Sequence, residues 1–151
     1  MPPLVGESAP EFTLPSTSGS DVSLRQARAR SAVLLTFFPL AFTSVCSIEM
    51  RALSDDLGKF EVAGARVLPI SVDSIPTLRE FKDREHLALD LLSDFKREVC
   101  RSYGTLLEDK FFSRRAYFLV DQAGVVRWAH VEAELGHRRD TDELLAQIAA
   151  L

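Results

Sequence analysis

The run Ser31-Ala-Val-Leu-Leu-Thr-Phe-Phe38 is apolar, rich in β-branched and aromatic residues, of strand length, and too weakly alternating for a half-exposed strand. Such a run suits a central strand buried on both faces, so the rest of the chain must cover a sheet from two sides. Pro39 lacks a ladder donor and marks the strand's end. Beyond it Val45, Ile48, Ala52, Leu53, Leu57 and Phe60 recur at helical spacing, which predicts a helix from about Thr43 to Lys59 with one face on the sheet. Thr43 fits the N-cap, which places Cys46 in the first turn. A thiol there meets unpaired backbone N–H groups and the positive end of the helix dipole, and both favour negative charge on sulfur.

The remaining elements follow in order. Phe12–Leu14 and Val22–Leu24 flank the Gly/Ser turn at 16–21 and read as an N-terminal β-hairpin. Gln26 to Arg30 reads as a connecting turn. Arg66–Val72 is the next strand, with Pro69 marking a bulge or an edge position. Ile75 to about Glu85 is an amphipathic helix with Leu78 and Phe81 inward. Leu89–Leu92 is a short strand, and Lys96–Tyr103 a short helix ended by Gly104. Residues 105–113 read as a loop with Phe111 and Phe112 exposed. Ala116–Val120 and Val125–Val131 form a hairpin, and Asp140-Thr-Asp-Glu143 is a capping box opening a last helix to Leu151. The order gives an α/β fold: a mixed central β-sheet with helices on both faces. At 151 residues the chain is most simply one domain, residues 1–151.

Charge and cysteine count narrow the function. A net charge of −4 with only short basic clusters argues against nucleic acid as a partner. No run approaches membrane-spanning length and the N-terminus lacks a charged start before an apolar core, so no membrane partner and a cytoplasmic location are expected. Two cysteines are too few for a secreted disulfide scaffold, and in a reducing compartment a cysteine is either a small buried hydrophobe or a reagent. His86, His130 and His137 show no metal-ligand spacing with each other or with either cysteine, so no metal and no cofactor are expected.

Pro39-x-x-x-Thr43-x-x-Cys46 resembles the active-site motif of the peroxiredoxins, thiol peroxidases on a thioredoxin-like fold. The wider run Phe37-Phe-Pro-Leu-Ala-Phe-Thr-Ser-Val-Cys46, with Glu49 three residues on, is most similar to the AhpE-type one-cysteine branch. The likeness extends through Gly6 to Leu14, Leu92-Ser93-Asp94, Ser102-Tyr103-Gly104 and Arg115-Ala-Tyr-Phe-Leu-Val-Asp121. It implies a thiol-dependent peroxidase that reduces hydrogen peroxide and organic hydroperoxides, with peroxynitrite as a further candidate, through a sulfenic acid on Cys46. Arg115 would hold a guanidinium to the sulfur, Thr43 would give a hydroxyl to the peroxide, and Pro39 would cover the sulfur. Glu49 matches an acidic position of the branch, with a merely solvating role as the alternative. Arg114 adjoins Arg115; the family pattern prefers Arg115, and strand alternation then turns Arg114 to the other face.

Two rival functions are open to such a chain. A disulfide reductase wants Cys-x-x-Cys, and here the fourth position is Glu49. A non-catalytic redox sensor does not need Pro39, Thr43 and Arg115 together. The peroxidase therefore leads. Its sulfenic acid would be recycled by an external thiol of thioredoxin, glutaredoxin or low-molecular-weight type. The same-helix resolving position is Arg51, and a bridge to Cys100, the other possible resolving residue, needs Cα atoms within about 7 Å. A homodimer is expected from the resemblance and from Leu40, Phe42, Phe111 and Phe112, apolar side chains in loops. Phe37, Leu40, Ala41 and Phe42 suggest an apolar pocket that mildly favours organic peroxides.

Overall fold

The structure, a computed structural model, describes residues 1–151. The apolar run forms β3 (Ala32–Phe37), and all six of its residues are buried. Parallel pairing with β4 (Ala65–Ser71) and antiparallel pairing with β8 (Ala116–Val120) put it at the centre of a five-stranded sheet, completed by β5 (Leu92–Ser93) and β9 (Val126–Val131). The strand order is β5-β4-β3-β8-β9, so the sheet is mixed. In the N-terminal hairpin β1 (Thr13–Pro15) pairs with β2 (Asp21–Ser23), and bridges Ser16–Leu92 and Ser8–Val125 tie its turn and the segment before it to the two sheet margins.

Side-chain alternation on β3 divides the interior. Leu34 and its even-numbered neighbours join one cluster with α2 (Ser44–Asp55), α3 (Leu57–Val62), α4 (Ile75–Glu85) and α6 (Thr141–Ala149). Val33, Leu35 and Phe37 join the other, with the hairpin, α1 (Leu24–Arg28) and α5 (Glu98–Ser102). Helices thus cover both faces, as the sheet's double burial requires.

Several local readings change. The turn expected at 26–30 is the end of helix α1, capped by the Ser23 hydroxyl, which accepts the Gln26 N–H at 3.1 Å. The long helix after Thr43 breaks at Asp56 into α2 and α3. The segment 105–113 is a second small hairpin, β6 (Leu106–Leu107) with β7 (Phe112–Ser113). Its Phe112 is half-buried against the core, and only Phe111 stays exposed. Half of the capping box forms: Asp140 accepts the Glu143 N–H at 2.9 Å, while the Glu143 carboxylate turns to Arg139.

Pro69 fits without a bulge. Ile70 offers its carbonyl to Phe38 on the β3 side, so Pro69, one residue back, faces the β5 side. There β5 pairs only from Ile70 onward, and no ladder donor is missed. Gly104 ends α5 at φ +67°, and a Cβ there would come within 2.5 Å of the Met1 and Pro2 backbone. The helix stop therefore also seats the N-terminus.

Candidate active site

Strand register decides which residues meet. Ala116 pairs with Phe37 at the end of β3, so Arg115 lies beside the turn through Pro39 that leads into α2. Arg115, Tyr117 and Leu119 alternate onto one face of β8, and Tyr117 and Leu119 share their cluster with Cys46 on α2. The sequence thus brings one strand end and one helix start together from positions 69 residues apart.

Cys46 is the third residue of α2 and is fully buried. Arg115 Nη2 donates to its Sγ at 3.2 Å, and Nη1 donates to Glu49 Oε1 at 2.7 Å. A third contact, Nη2 to the Leu135 carbonyl at 3.3 Å, ties the guanidinium to the loop after β9. Arg115 Nε is buried without a partner. Burial works against the Arg115 charge, but Glu49 and Cys46 outweigh it and hold the guanidinium above its ordinary range. Arg114 is half-buried, and the guanidinium that donates to Cys46 is that of Arg115.

Glu49 is not a solvating residue. It is 2% exposed, and its two oxygens accept from Arg115 and from the Tyr117 hydroxyl. Burial raises its carboxyl above the usual range, while the Arg115 charge and the Tyr117 hydrogen bond pull against that shift. The same surroundings push the Tyr117 phenol up, first through burial and then through the Glu49 charge.

Thr43 occupies the N-cap position with extended backbone, but no side-chain cap bond forms. Its hydroxyl donates instead to the Leu40 carbonyl at 2.8 Å. The first-turn N–H groups of α2 are thereby left without a side-chain acceptor at the end that faces Arg115. Phe42 turns the chain through the left-handed region at φ +66° and sets its ring against Phe81, with centroids 5.2 Å apart. Asp73 anchors this loop by accepting the Ala41 N–H at 2.8 Å. Pro39 is buried at the strand's end. Phe37, expected to line an apolar pocket with Leu40, Ala41 and Phe42, faces the other side of the sheet and packs on Tyr103 and Phe118. Leu40 packs toward that other cluster as well.

The family profile AhpC/TSA matches residues 5–129. The chain belongs to this family, the peroxiredoxins. It is 38% identical to alkyl hydroperoxide reductase E of Mycobacterium tuberculosis, an alignment covering 96% of this chain and 98% of the relative. It is 33% identical to the chloroplastic 2-Cys peroxiredoxin BAS1 of Hordeum vulgare over 99% of this chain and 75% of that protein. The crystal structure of the reduced 2-Cys peroxiredoxin of Plasmodium vivax superposes with a TM-score of 0.91 at 34% identity, covering 99% of this chain and 82% of that one. The fold is thus thioredoxin-like, and the protein is a thiol-dependent peroxidase, an oxidoreductase.

In this peroxiredoxin the second cysteine lies apart. Cys100, on α5, is fully buried in the cluster on the opposite sheet face from Cys46. Asp94 accepts the Val99 and Cys100 backbone N–H groups at 3.2 and 2.7 Å. Burial, then the Asp94 charge, push the Cys100 thiol far up, so it stays protonated. Sequence reading placed no role on Tyr117. The signal was its position two residues after Arg115, a spacing that puts both on one strand face.

Proposed function

We propose that Cys46 is the nucleophile that attacks peroxides and that an external thiol returns it to the reduced state. The observation carrying this is the 3.2 Å hydrogen bond from Arg115 Nη2 to a buried sulfur. A guanidinium stabilises charge on sulfur before attack and charge on the departing oxygen after it. The sulfur electron pair attacks one peroxide oxygen and the O–O bond breaks. The other oxygen leaves with the bonding pair and takes a proton as water or alcohol, which leaves Cys46 as sulfenic acid. Thr43, with its proton engaged by Leu40, offers hydroxyl lone pairs to the peroxide O–H, and the free first-turn N–H groups of α2 offer donors. Pro39 covers the sulfur and presents no N–H of its own. Organic hydroperoxides and hydrogen peroxide are the substrates proposed, with peroxynitrite, which shares the bond, alongside them.

Recycling uses two equivalents of thiol. The first condenses with the sulfenic acid, releasing water and leaving a mixed disulfide on Cys46. The second displaces the first as a disulfide and restores the Cys46 thiol. The central sheet between Cys46 and Cys100 supports this one-cysteine cycle over an internal bridge, which would require unfolding around one of them. A cytoplasmic location, with residues 1–151 acting as one domain, fits a thiol-fed enzyme; no helix is long and apolar enough to cross a membrane. One equivalent of peroxide should leave a dimedone-trappable sulfenic acid on Cys46, and Cys100→Ser should keep full turnover with glutaredoxin, thioredoxin or a small thiol. A two-hydrogen mass loss tracing to a Cys46–Cys100 peptide, absent in Cys100→Ser, would replace this reading with an atypical two-cysteine cycle.

The protein is further proposed to pair with a second copy. Phe95, Ile48, Phe42 and Phe111 are 60%, 49%, 49% and 48% exposed, more large apolar surface than a monomer comfortably leaves in water. Light scattering at micromolar concentration should give twice the 16.8 kDa chain mass; a single species of 16.8 kDa counts against a dimer.

A further inference from the structure

Arg115 reaches the sulfur from a held position, and what holds it extends beyond Glu49. Glu49 Oε1 takes Arg115 Nη1, and Oε2 takes the Tyr117 hydroxyl. The Tyr117 oxygen in turn accepts the Arg139 backbone N–H at 3.0 Å. A backbone N–H can only donate, so the Tyr117 proton has one place to go, the Glu49 carboxylate. The series runs Arg139 N–H to Tyr117, Tyr117 O–H to Glu49, and Arg115 from Glu49 to Cys46. The side chains of Tyr117, Glu49, Arg115 and Cys46 are all at most 2% exposed, so water cannot substitute for a missing donor.

Every other charged or titratable group near Glu49 is otherwise placed. Cys46 shares its helix and is reached through Arg115. Arg138, ahead of α6, contributes only a favourable charge at a distance. The Arg139 guanidinium is turned to Glu132 and Glu143, and His130 pairs with Glu132 as well. Glu49 thus has two donors, one charged and one neutral, and the neutral one comes from β8, which Arg115 immediately precedes.

We propose that Tyr117 is a positioning residue for the peroxidase reaction, its hydroxyl fixing the Glu49 carboxylate so that Arg115 meets Glu49 with one nitrogen and Cys46 with the other. The inference rests on the site reading above and names a residue that reading does not use. Without the hydroxyl, Oε2 has no donor in a dry site. The carboxyl then takes up a proton more readily, or rotates both oxygens onto the guanidinium as a bidentate pair and draws Nη2 off the sulfur. Each relaxation loosens the two-way hold on Arg115.

The test measures sulfenic acid formation by rapid mixing with one equivalent of hydrogen peroxide across pH 5 to 9, in wild type, Tyr117→Phe, Glu49→Gln and the double variant. In Tyr117→Phe the acid limb of the rate profile should move up by about one pH unit, which lowers the rate on that limb up to about tenfold. In the Glu49→Gln background, Tyr117→Phe should add nothing, because its effect passes through a carboxylate no longer there. Uniform 3-fluorotyrosine labelling supplies a second probe that keeps the side chain's shape. Its stronger phenol donor should move the limb down, and the chain's other tyrosine, Tyr103, donates to Pro10 on the far face of the sheet. A wild-type profile in Tyr117→Phe, even with lowered thermal stability, overturns the proposal. So do effects of Tyr117→Phe and Glu49→Gln that multiply in the double variant, or a labelled protein whose limb does not move. Failure of the underlying site reading shows differently, as turnover surviving in Cys46→Ser.

Discussion

Replacing Cys46 with serine is expected to abolish peroxide turnover while leaving the fold in place. A serine hydroxyl is almost wholly protonated at neutral pH and is a poor nucleophile without an adjacent base. The groups around Cys46 are a guanidinium and first-turn N–H groups, none of which removes a proton. The substitution is otherwise mild. The oxygen is smaller than sulfur, and Arg115 Nη2 remains a donor for it, so the new hydroxyl is buried with a partner. The expected cost is about 1–2 kcal/mol, a fall of a few degrees in Tm for a chain of this size. Peroxide consumption driven by an external thiol, read beside a thermal melt, checks both halves. Substantial turnover in a cooperatively folded Cys46→Ser protein would remove Cys46 as the nucleophile.

The parts of the site that sequence revealed are local ones. Pro39, Thr43 and Cys46 lie within one strand-to-helix turn, where spacing, a ladder-breaking proline and a helix start read directly. What escaped was facing. A strand buried on both sides carries no polar alternation, so nothing in Ala32–Phe37 tells which side chains look toward α2. For that reason Phe37 reads as part of an apolar pocket with Leu40, Ala41 and Phe42, yet it packs against Tyr103 and Phe118 on the other side. The same blindness hides from the sequence that Cys46 and Cys100 lie in clusters on opposite faces of the sheet. Glu49 was ambiguous because a helix carboxylate is ordinarily solvated, and only the register of β8 against β3 shows that a cation and a phenol await it. Thr43 was read by its preference for capping, but a free Leu40 carbonyl one turn earlier competes for the hydroxyl.

Arg115→Ala is expected to damage both chemistry and folding, and pH separates the two. The lost donor to sulfur and to the leaving oxygen should slow sulfenic acid formation a hundredfold or more, on the order of 3 kcal/mol. Arg114→Ala, which removes no hydrogen bond to the sulfur, should stay within a few-fold of wild type. Equal effects from the two would mean that the guanidinium at Cys46 is not the acting one. Folding suffers because Glu49 is buried and Arg115 is its only ion-pair partner; breaking such a pair from one side costs about 3–5 kcal/mol. Burial already raises the Glu49 carboxyl, with Arg115 as the chief opposing influence, so the variant's carboxyl rises further. A carboxyl whose folded-state value lies above its unfolded one binds more protons in the native state between the two values. Stability is then greatest below the ordinary carboxylate range and is lost as pH rises through the folded-state value. The stability gap between wild type and Arg115→Ala should therefore widen as pH rises above the ordinary carboxylate range in urea titrations. In Arg115→Ala combined with Glu49→Gln, which leaves no carboxyl to charge, the widening should disappear. A gap that is constant with pH, or that closes as pH rises, would show that Arg115 does not serve to compensate a buried Glu49 charge.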